Sequence, residues 1–399
     1  MPSDLQHQRN HTVSVILTVV FLAFTALYYV LFQRDLIALM QETWSRGQTG
    51  NNPVVTAVVV ALVLWLVHRF VKAVTRLSGR WDAFTWLPSY LLLGLTTSID
   101  GPTTQFHFAP WAAVLGGSVL VLLIACWLQS IMPSDKRTHL GALMLPSLVV
   151  TVCSMLLCMA VGNHDDTLHQ ELAAFRHARR AVTASTADET SSAVARVADV
   201  GRYSAETTPA LTALRNVALA RSGRLGDELF HFPQPYGSDG LDVSRFTRPT
   251  THFGATTFYA FLGAEPYGGE DARGFIYRLY RQEALPYSRD LYAASLLLDG
   301  RLADFAALIP PPADSASVRR APRHYREAWL LCRALNAAPV PGSYADTELQ
   351  PSLDDFMSTL QNSHEAHQAT LNALLLTYGR TYWYYYAAHH SIRPAPNPS

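Results

Sequence analysis

Residues 83–99 read AFTWLPSYLLLGLTTSI, and the fold of the first 162 residues turns on whether this stretch crosses a membrane. It carries no charge. It is at the short end of the roughly 17–25 residues that a spanning helix needs, and it holds Pro88, where a kink is expected and which membrane helices tolerate. Four clearer apolar runs surround it, at 13–32 (VSVILTVVFLAFTALYYVLF), 53–71, 111–132 and 142–161. At about 1.5 Å per residue each can cross a hydrocarbon core of about 30 Å. Loop charges arbitrate on the short run. Lys72, Arg76 and Arg80 follow the second run, and Lys136 and Arg137 follow the fourth. Cationic loops stay on the cytoplasmic side, and both can do so only if 83–99 crosses between them. The sequence thus predicts five spans, at 13–32, 53–71, 83–99, 111–132 and 142–161, with the N-terminus cytoplasmic. The remainder, 163–399, is expected on the far side, which for a bacterial inner membrane is the periplasm. Arg9 in the N-terminal tail agrees. No small-residue cleavage site follows the first run, which continues as QRDLIALM, so it reads as a retained signal anchor.

Composition fits this division. The 399-residue chain is 49% hydrophobic and 16% charged, against about 25% charged in an ordinary soluble domain, and the deficit lies almost wholly before residue 162. The formal net charge is zero, which removes a global electrostatic case for nucleic acid. Lys72 and Lys136 are the only lysines, the other basic residues being arginines, as a GC-rich genome gives. Cys126, Cys153 and Cys158 lie in apolar runs and act as small hydrophobes. Cys332 stands alone in the C-terminal part, so no disulfide framework can form there. Ionisable residues inside spans would point to transport, and these spans hold almost none. His68 and Arg69 sit at a membrane end, and Asp82 and Asp100 flank the third run. The expected role of this half is therefore an anchor in the lipid bilayer and an assembly surface, with Trp86, Tyr90, Trp111 and Trp127 in interfacial belts.

From residue 163 the periodicity is helical, and no sustained alternation of period 2 occurs. TLHQELAAFRHARRAV places Leu168, Leu172, Phe175 and Ala178 on one face. TTPALTALRNVALARSG begins with a threonine cap and a first-turn proline and ends at Gly223, and SRDLYAASLLLDG runs from Ser288 to Gly300. Two junctions match each other, ALARSGRLGDELF at 218–230 and SLLLDGRLADFAAL at 295–308, sharing G-R-L-x-D. In each an apolar helix stops at a glycine, which frees the chain to turn back, and a second amphipathic helix is expected at once. This is the joint of a tetratricopeptide-type (TPR-like) array, so the whole chain is expected to be all-α. Two segments interrupt the array, His231–Gly254 and Ile309–Pro322, both rich in proline or glycine, and ordered loops of this kind are where binding concentrates.

The segments RNVALARSGRLGDELFHFPQPYGSDGL, RDLYAASLLLDGRLADFAALIP, PRHYREAWLLCRALN and YGRTYWYYY follow one another in this order. Together, over about residues 205–386, they resemble an uncharacterised bacterial family of multi-span integral membrane proteins with a C-terminal helical, TPR-like domain. The resemblance implies the architecture and supplies no chemistry.

Candidate sites follow from side-chain type. NSHEAHQ (His364, Glu365, His367) and NHDDTLH (His164, Asp165, Asp166, His169) hold histidines and acids without the four ligands of a structural zinc. The second reads as a helix start with its acids at the positive end of the dipole. His324 and Glu327 in PRHYREAW are three apart; an acid–base pair is conceivable, and a capped helix start with surface ion pairs is the plainer reading. No phosphate loop, nucleophile elbow or dinucleotide fingerprint occurs, and no metal or cofactor is expected. YGRTYWYYYAAHH (378–390) closes the chain's last helix, read as one rod over 366–388 with Gly379 a weak point. Leu371, Leu374, Leu375, Tyr378, Tyr382 and Tyr385 form its packing stripe. Arg380, Trp383 and Tyr384 fall off the stripe and are the expected partner-binding residues, since Arg, Trp and Tyr are common anchors. His389 and His390 point about 100° apart on a helix and cannot chelate together. The leading functional expectation is a non-catalytic membrane protein whose helical domain binds a protein or peptide partner in envelope assembly. The rival is an envelope enzyme acting on a lipid-linked or glycan substrate, with acids near Asp100 and Asp165–Asp166.

Overall fold

The computed structural model describes residues 2–45, 52–97, 108–132, 140–162, 164–243, 251–312, 314–337, 344, 346–362 and 367–390. Among them every regular element is helical and there is no strand, so the fold is all-α. The chain divides into two compact units, residues 1–172 with 248–253, and residues 173–247 with 254–399.

The first unit holds α1 (Pro2–Tyr28), a π turn (Tyr29–Gln33) and α2 (Arg34–Trp44). These are followed by α3 (Pro53–Thr75), a 3₁₀ stretch (Gly79–Trp86), α4 (Leu87–Leu95), α5 (Phe108–Ile131) and α6 (Leu140–Val161). Among the described residues four helices are long and apolar enough to cross a membrane: Asn10–Gln41, Pro53–Thr75, Trp111–Ile131 and Met144–Val161. The chain is a membrane protein on that ground. The run at 83–99 is different in kind from the span expected there. Its described part is 3₁₀ as far as Trp86 and α from Leu87 to Leu95, and Pro88 does not kink a continuous helix; it sits in the first turn of α4, where its missing N–H costs nothing. From Ala83 to Leu95 the stretch is almost wholly buried, whereas the other four segments expose valines and leucines.

The polar groups of this stretch account for its burial. Asp82 pairs with Lys72 of α3 at 2.6 Å. The Thr85 hydroxyl donates to Asp82 O at 2.6 Å, so it accepts from His68 Nδ1–H at 3.1 Å and fixes that tautomer. The His68 ring lies flat on Trp86, with centroids 3.5 Å apart and planes 7° apart. Ser89 donates to Leu64 O. Each contact satisfies a group that would be costly in hydrocarbon. Asp82, expected to flank the run, and His68, expected at a membrane end, are both inside. Gly94 permits close approach to α6, because a Cβ there would meet Cys158 O at 2.5 Å.

The two ends of the stretch touch opposite ends of its neighbours. Arg80 Nη2 donates to Met132 O at the end of α5, and Gln129 of α5 bonds both Ser78 N and Arg76 O beyond α3. At the other end Thr97 Oγ1 meets Tyr28 OH at 2.7 Å, and Tyr28 OH meets His164 Nε2 at 3.2 Å beyond α6. The five segments therefore alternate in direction. The π turn after Tyr28 widens the first helix by one residue and turns Tyr28, Tyr29 and Gln33 all inward. Gln33 Nε2 then donates to Leu93 O and Thr96 Oγ1 of the short stretch.

The second unit takes up within α7 (Asp166–Thr183) and continues through α8 (Ala187–Asp199), α9 (Pro209–Arg221), α10 (Leu225–Glu228) and short 3₁₀ turns at Leu229–His231 and Gly237–Leu241. Then come α11 (Thr251–Leu262), α12 (Ala272–Arg281), α13 (Ser288–Leu298), α14 (Leu302–Leu308), α15 (Ser315–Arg320) and α16 (Arg323–Ala334). It closes with α17 (Gln350–Asn362), α18 (His367–Tyr378) and α19 (Tyr382–His389). α9 is buried on every face from Ala210 to Ala220, and its polar residues there, Thr212, Arg215 and Asn216, each make hydrogen bonds inside. Thr208 caps it, accepting from Leu211 N at 3.1 Å.

Gly223 and Gly300 have φ of +70° and +68° and end α9 and α13. In both, the residue after the glycine donates five back (Arg224 N to Leu219 O, Arg301 N to Leu296 O, each 2.8 Å) and the glycine donates three back, the double bond of a left-handed C-cap. Glu283 and Asn336, with φ of +47° and +51°, make the same joint after α12 and α16. The helices that follow the two glycines are shorter than expected: α10 is a single turn and α14 about two. The segment 309–322 contains α15, and the segment 231–254 contains a 3₁₀ turn and the start of α11.

Candidate functional site

The expected single closing helix is two helices. Gly379–Thr381 break it, and Thr381 Oγ1 both donates to Tyr378 O (2.7 Å) and accepts from Tyr384 N (3.3 Å), capping α19 afresh. The break frees Tyr382 N–H to bond Glu327 Oε2 of α16 at 2.7 Å. It also aims the aromatic face at the end of α13. Tyr382 OH donates to Leu297 O (3.2 Å), and Tyr385 OH (2.9 Å) and His390 Nε2 (3.2 Å) donate to Leu298 O. These are carbonyls that a helix end leaves without partners. His389 Nδ1 meets Tyr385 O instead, so the two histidines serve different carbonyls.

Glu327 is the junction beneath this face. It is 0% exposed, and it accepts from Arg323 Nε (2.9 Å), His324 Nδ1 (2.8 Å) and Tyr382 N. Phe230 N–H points at His324 Nε2 from 3.3 Å, which requires a lone pair there and puts the ring proton on Nδ1. Burial pushes the Glu327 carboxyl up, but His324, the Tyr382 amide and Arg323 together outweigh it and hold it below the ordinary carboxylate range. The pair expected at the surface is thus a core tie between α16, α19 and the turn at Phe230. Both imidazole nitrogens are occupied, which leaves no free base for a substrate.

Above the tie lies a groove of about 500 Å³. Three segments wall it. Gly379–His389 supplies Arg380, Tyr384 and His389. The turn at 230–235 supplies Phe230 and His231. The α8–α9 connection supplies Arg202 and Tyr203. The middle wall is held by a buried amide pair, Asn216 of α9 and Gln234, which exchange bonds at 3.2 and 3.0 Å; Gln234 also donates to Leu229 O and Asn216 to Gly240 O. Tyr203 is 91% exposed and Leu375 51%.

The groove is electropositive. Among the described residues no aspartate or glutamate lines it. Arg380 is exposed and makes no ion pair or hydrogen bond among the described residues, while Arg202 reaches Asp199 at 3.2 Å. Burial, with the His324 ring next and Arg323 and Arg380 adding, holds the His231 imidazole below its ordinary value despite Glu228. Behind Phe232, Arg215 is 1% exposed, with its guanidinium 4.3 Å from the ring centroid. It donates to Val200 O at 2.7 Å, while Nε and Nη1 have no acceptor. Burial lowers it to about 10, so it stays charged at neutral pH and adds positive potential behind the wall.

Of the three residues expected to bind a partner, Arg380 and Tyr384 line the groove. Trp383 does not. It is 0% exposed and packs beside Phe356 at 6.5 Å, so its removal would empty the core. The error came from reading 366–388 as one helix: the break resets the phase and turns Trp383 inward. The loop at 231–235 falls in a segment already marked for binding by its proline and glycine content. Arg202 and Tyr203 were missed; an exposed tyrosine in the turn GRYSAETTP was the available signal. Of the histidine clusters, Asp165 caps α7 by accepting from Thr167 N and Oγ1. His364, Glu365, Asp100, Lys136 and Arg137 lie outside the described residues.

Fold and site together define a helical membrane protein that carries a cationic, aromatic groove on its C-terminal unit. Residues 279–389 match a family model described as a family of unknown function (DUF6057). That span runs from the end of α12 through α19 and includes Glu327, Arg380 and Tyr384. No curated protein and no solved structure matches the chain.

Proposed function

We propose that this protein holds an acidic segment of a protein partner in the groove of its C-terminal unit, as a scaffold or assembly factor of the bacterial envelope. The carrying observation is the groove's charge: arginine and histidine side chains converge on exposed tyrosine and leucine, and no carboxylate is among the described lining residues, with Asp199 pairing with Arg202 from outside the lining. An extended segment with one or two acidic side chains beside an apolar one matches both features, with Arg380 as the ionic contact and Tyr384 and Tyr203 as stacking surfaces. The paired glycine joints support a TPR-like ancestry for the unit. The alternating segments and the basic end of α3 support an inner-membrane protein with a cytoplasmic N-terminus and a periplasmic C-terminal unit. No observation favours the enzyme reading, since His324 and Glu327 are closed to substrate and Asp165 is a cap.

The test is a phage-displayed peptide library panned against the protein in nanodiscs. Acidic segments with an apolar residue should be enriched over empty nanodiscs. The enrichment should vanish in Arg380→Glu, an exposed substitution, with the melting temperature unchanged. No enrichment, or the same sequences enriched by Arg380→Glu, would remove the groove as the binding site.

A further inference from the structure

We infer a second site, for the phosphate of an anionic phospholipid, on the exposed side of α3. It rests on the reading that α3 spans the membrane and is independent of the groove. Leu62, Leu66 and Arg69 fall on one face of α3 at steps of four and three, and Arg76 follows as the left-handed cap just past the helix end (φ +52°). The two leucines are 52% and 53% exposed, and Arg69 and Arg76 are exposed at the end of the stripe and just beyond it. That is the order in which a lipid presents acyl chain and then phosphate.

Lys72 is neutralised by Asp82. Among the described residues Arg69 has only the Trp65 ring, at 5.8 Å, and Arg76 is exposed with no acid partner. Arg80 adds a third guanidinium, stacked at 5.1 Å on Trp81 and bonded to Met132 O. Phe70, next to Arg69 in the chain, is 70% exposed, and Trp127, near the end of α5, is 62% exposed, the kind of aromatic that sits at headgroup depth. A free phosphate would gain from the arginines alone, whereas a lipid gains from the arginines and the apolar stripe together.

The experiment reconstitutes the full chain in nanodiscs of mixed phosphatidylethanolamine and phosphatidylglycerol, re-extracts it in mild detergent, and counts retained lipids by native mass spectrometry. Wild type should retain phosphatidylglycerol well above its bulk share. Arg69→Gln with Arg76→Gln should lose about fivefold per arginine. Arg34→Gln, at the opposite end of the bundle, should change nothing. Millimolar inorganic phosphate should not displace the lipid. Retention at the bulk ratio, equal loss in Arg34→Gln, or displacement by phosphate alone would each overturn the site. Failure of the membrane reading would show separately, as a chain that does not float with vesicles.

Discussion

Glu327 shows how one buried carboxylate can organise a unit. Because its folded pKa lies below the unfolded value, its ionised form contributes stability in full above about pH 4.3. That contribution is lost as pH falls through the folded value. Glu327→Gln keeps the shape but weakens the acceptor for His324 and Tyr382 N–H, and should cost on the order of 2 kcal/mol at neutral pH. Melting of the protein in detergent should show it: wild type declines as pH falls below about 4.3, and the variant starts lower and declines less. Parallel pH profiles would mean that Glu327 is not the titrating tie. At this scale the pairing of His324 with Glu327 was legible from their spacing, but not its depth. A histidine and a glutamate three apart look the same at a surface and in a core, and what distinguishes them is Tyr382 N–H, fifty-five residues away.

Among elements, the joints after α9 and α13 were legible because glycine is the residue that takes positive φ without strain. Those after α12 and α16 were not, because Glu283 and Asn336 occupy the same conformation with ordinary side chains. Their cost is covered by the packing of the helices they end. The two glycines are also not equivalent. A Cβ at Gly223 meets nothing within 4 Å, but at Gly300 it would lie 2.9 Å from the His390 ring. Gly223→Ala should cost about 1 kcal/mol from backbone strain alone. Gly300→Ala should cost about twice that, and a His390→Ala background should remove the excess. Equal costs in the parent would show that His390 does not sit against this turn. The stretch at 79–95 teaches the same lesson for the membrane unit. Its apolarity was plain, but its 3₁₀ half and its burial come from Lys72, His68, Tyr28 and Gln33, partners contributed by other helices.

At the scale of the whole molecule, the polarity of the chain rests on direction reversal at 79–97. If that stretch carries the chain back across the bilayer, residue 162 emerges opposite the N-terminus, and the groove-bearing unit faces the compartment where an envelope partner would be met. Without the reversal, the ends of α3 and α5 would fall on opposite faces, against the hydrogen bonds joining Gln129 to Arg76 and Ser78, and the two basic loops of the sequence would be split between sides, against the charge rule. Alkaline phosphatase, active only outside the cytoplasm, reads this directly. Fused after Val161 it should be active, and fused after Arg76 inactive. An inactive fusion after Val161 would put the C-terminal unit in the cytoplasm and contradict the account.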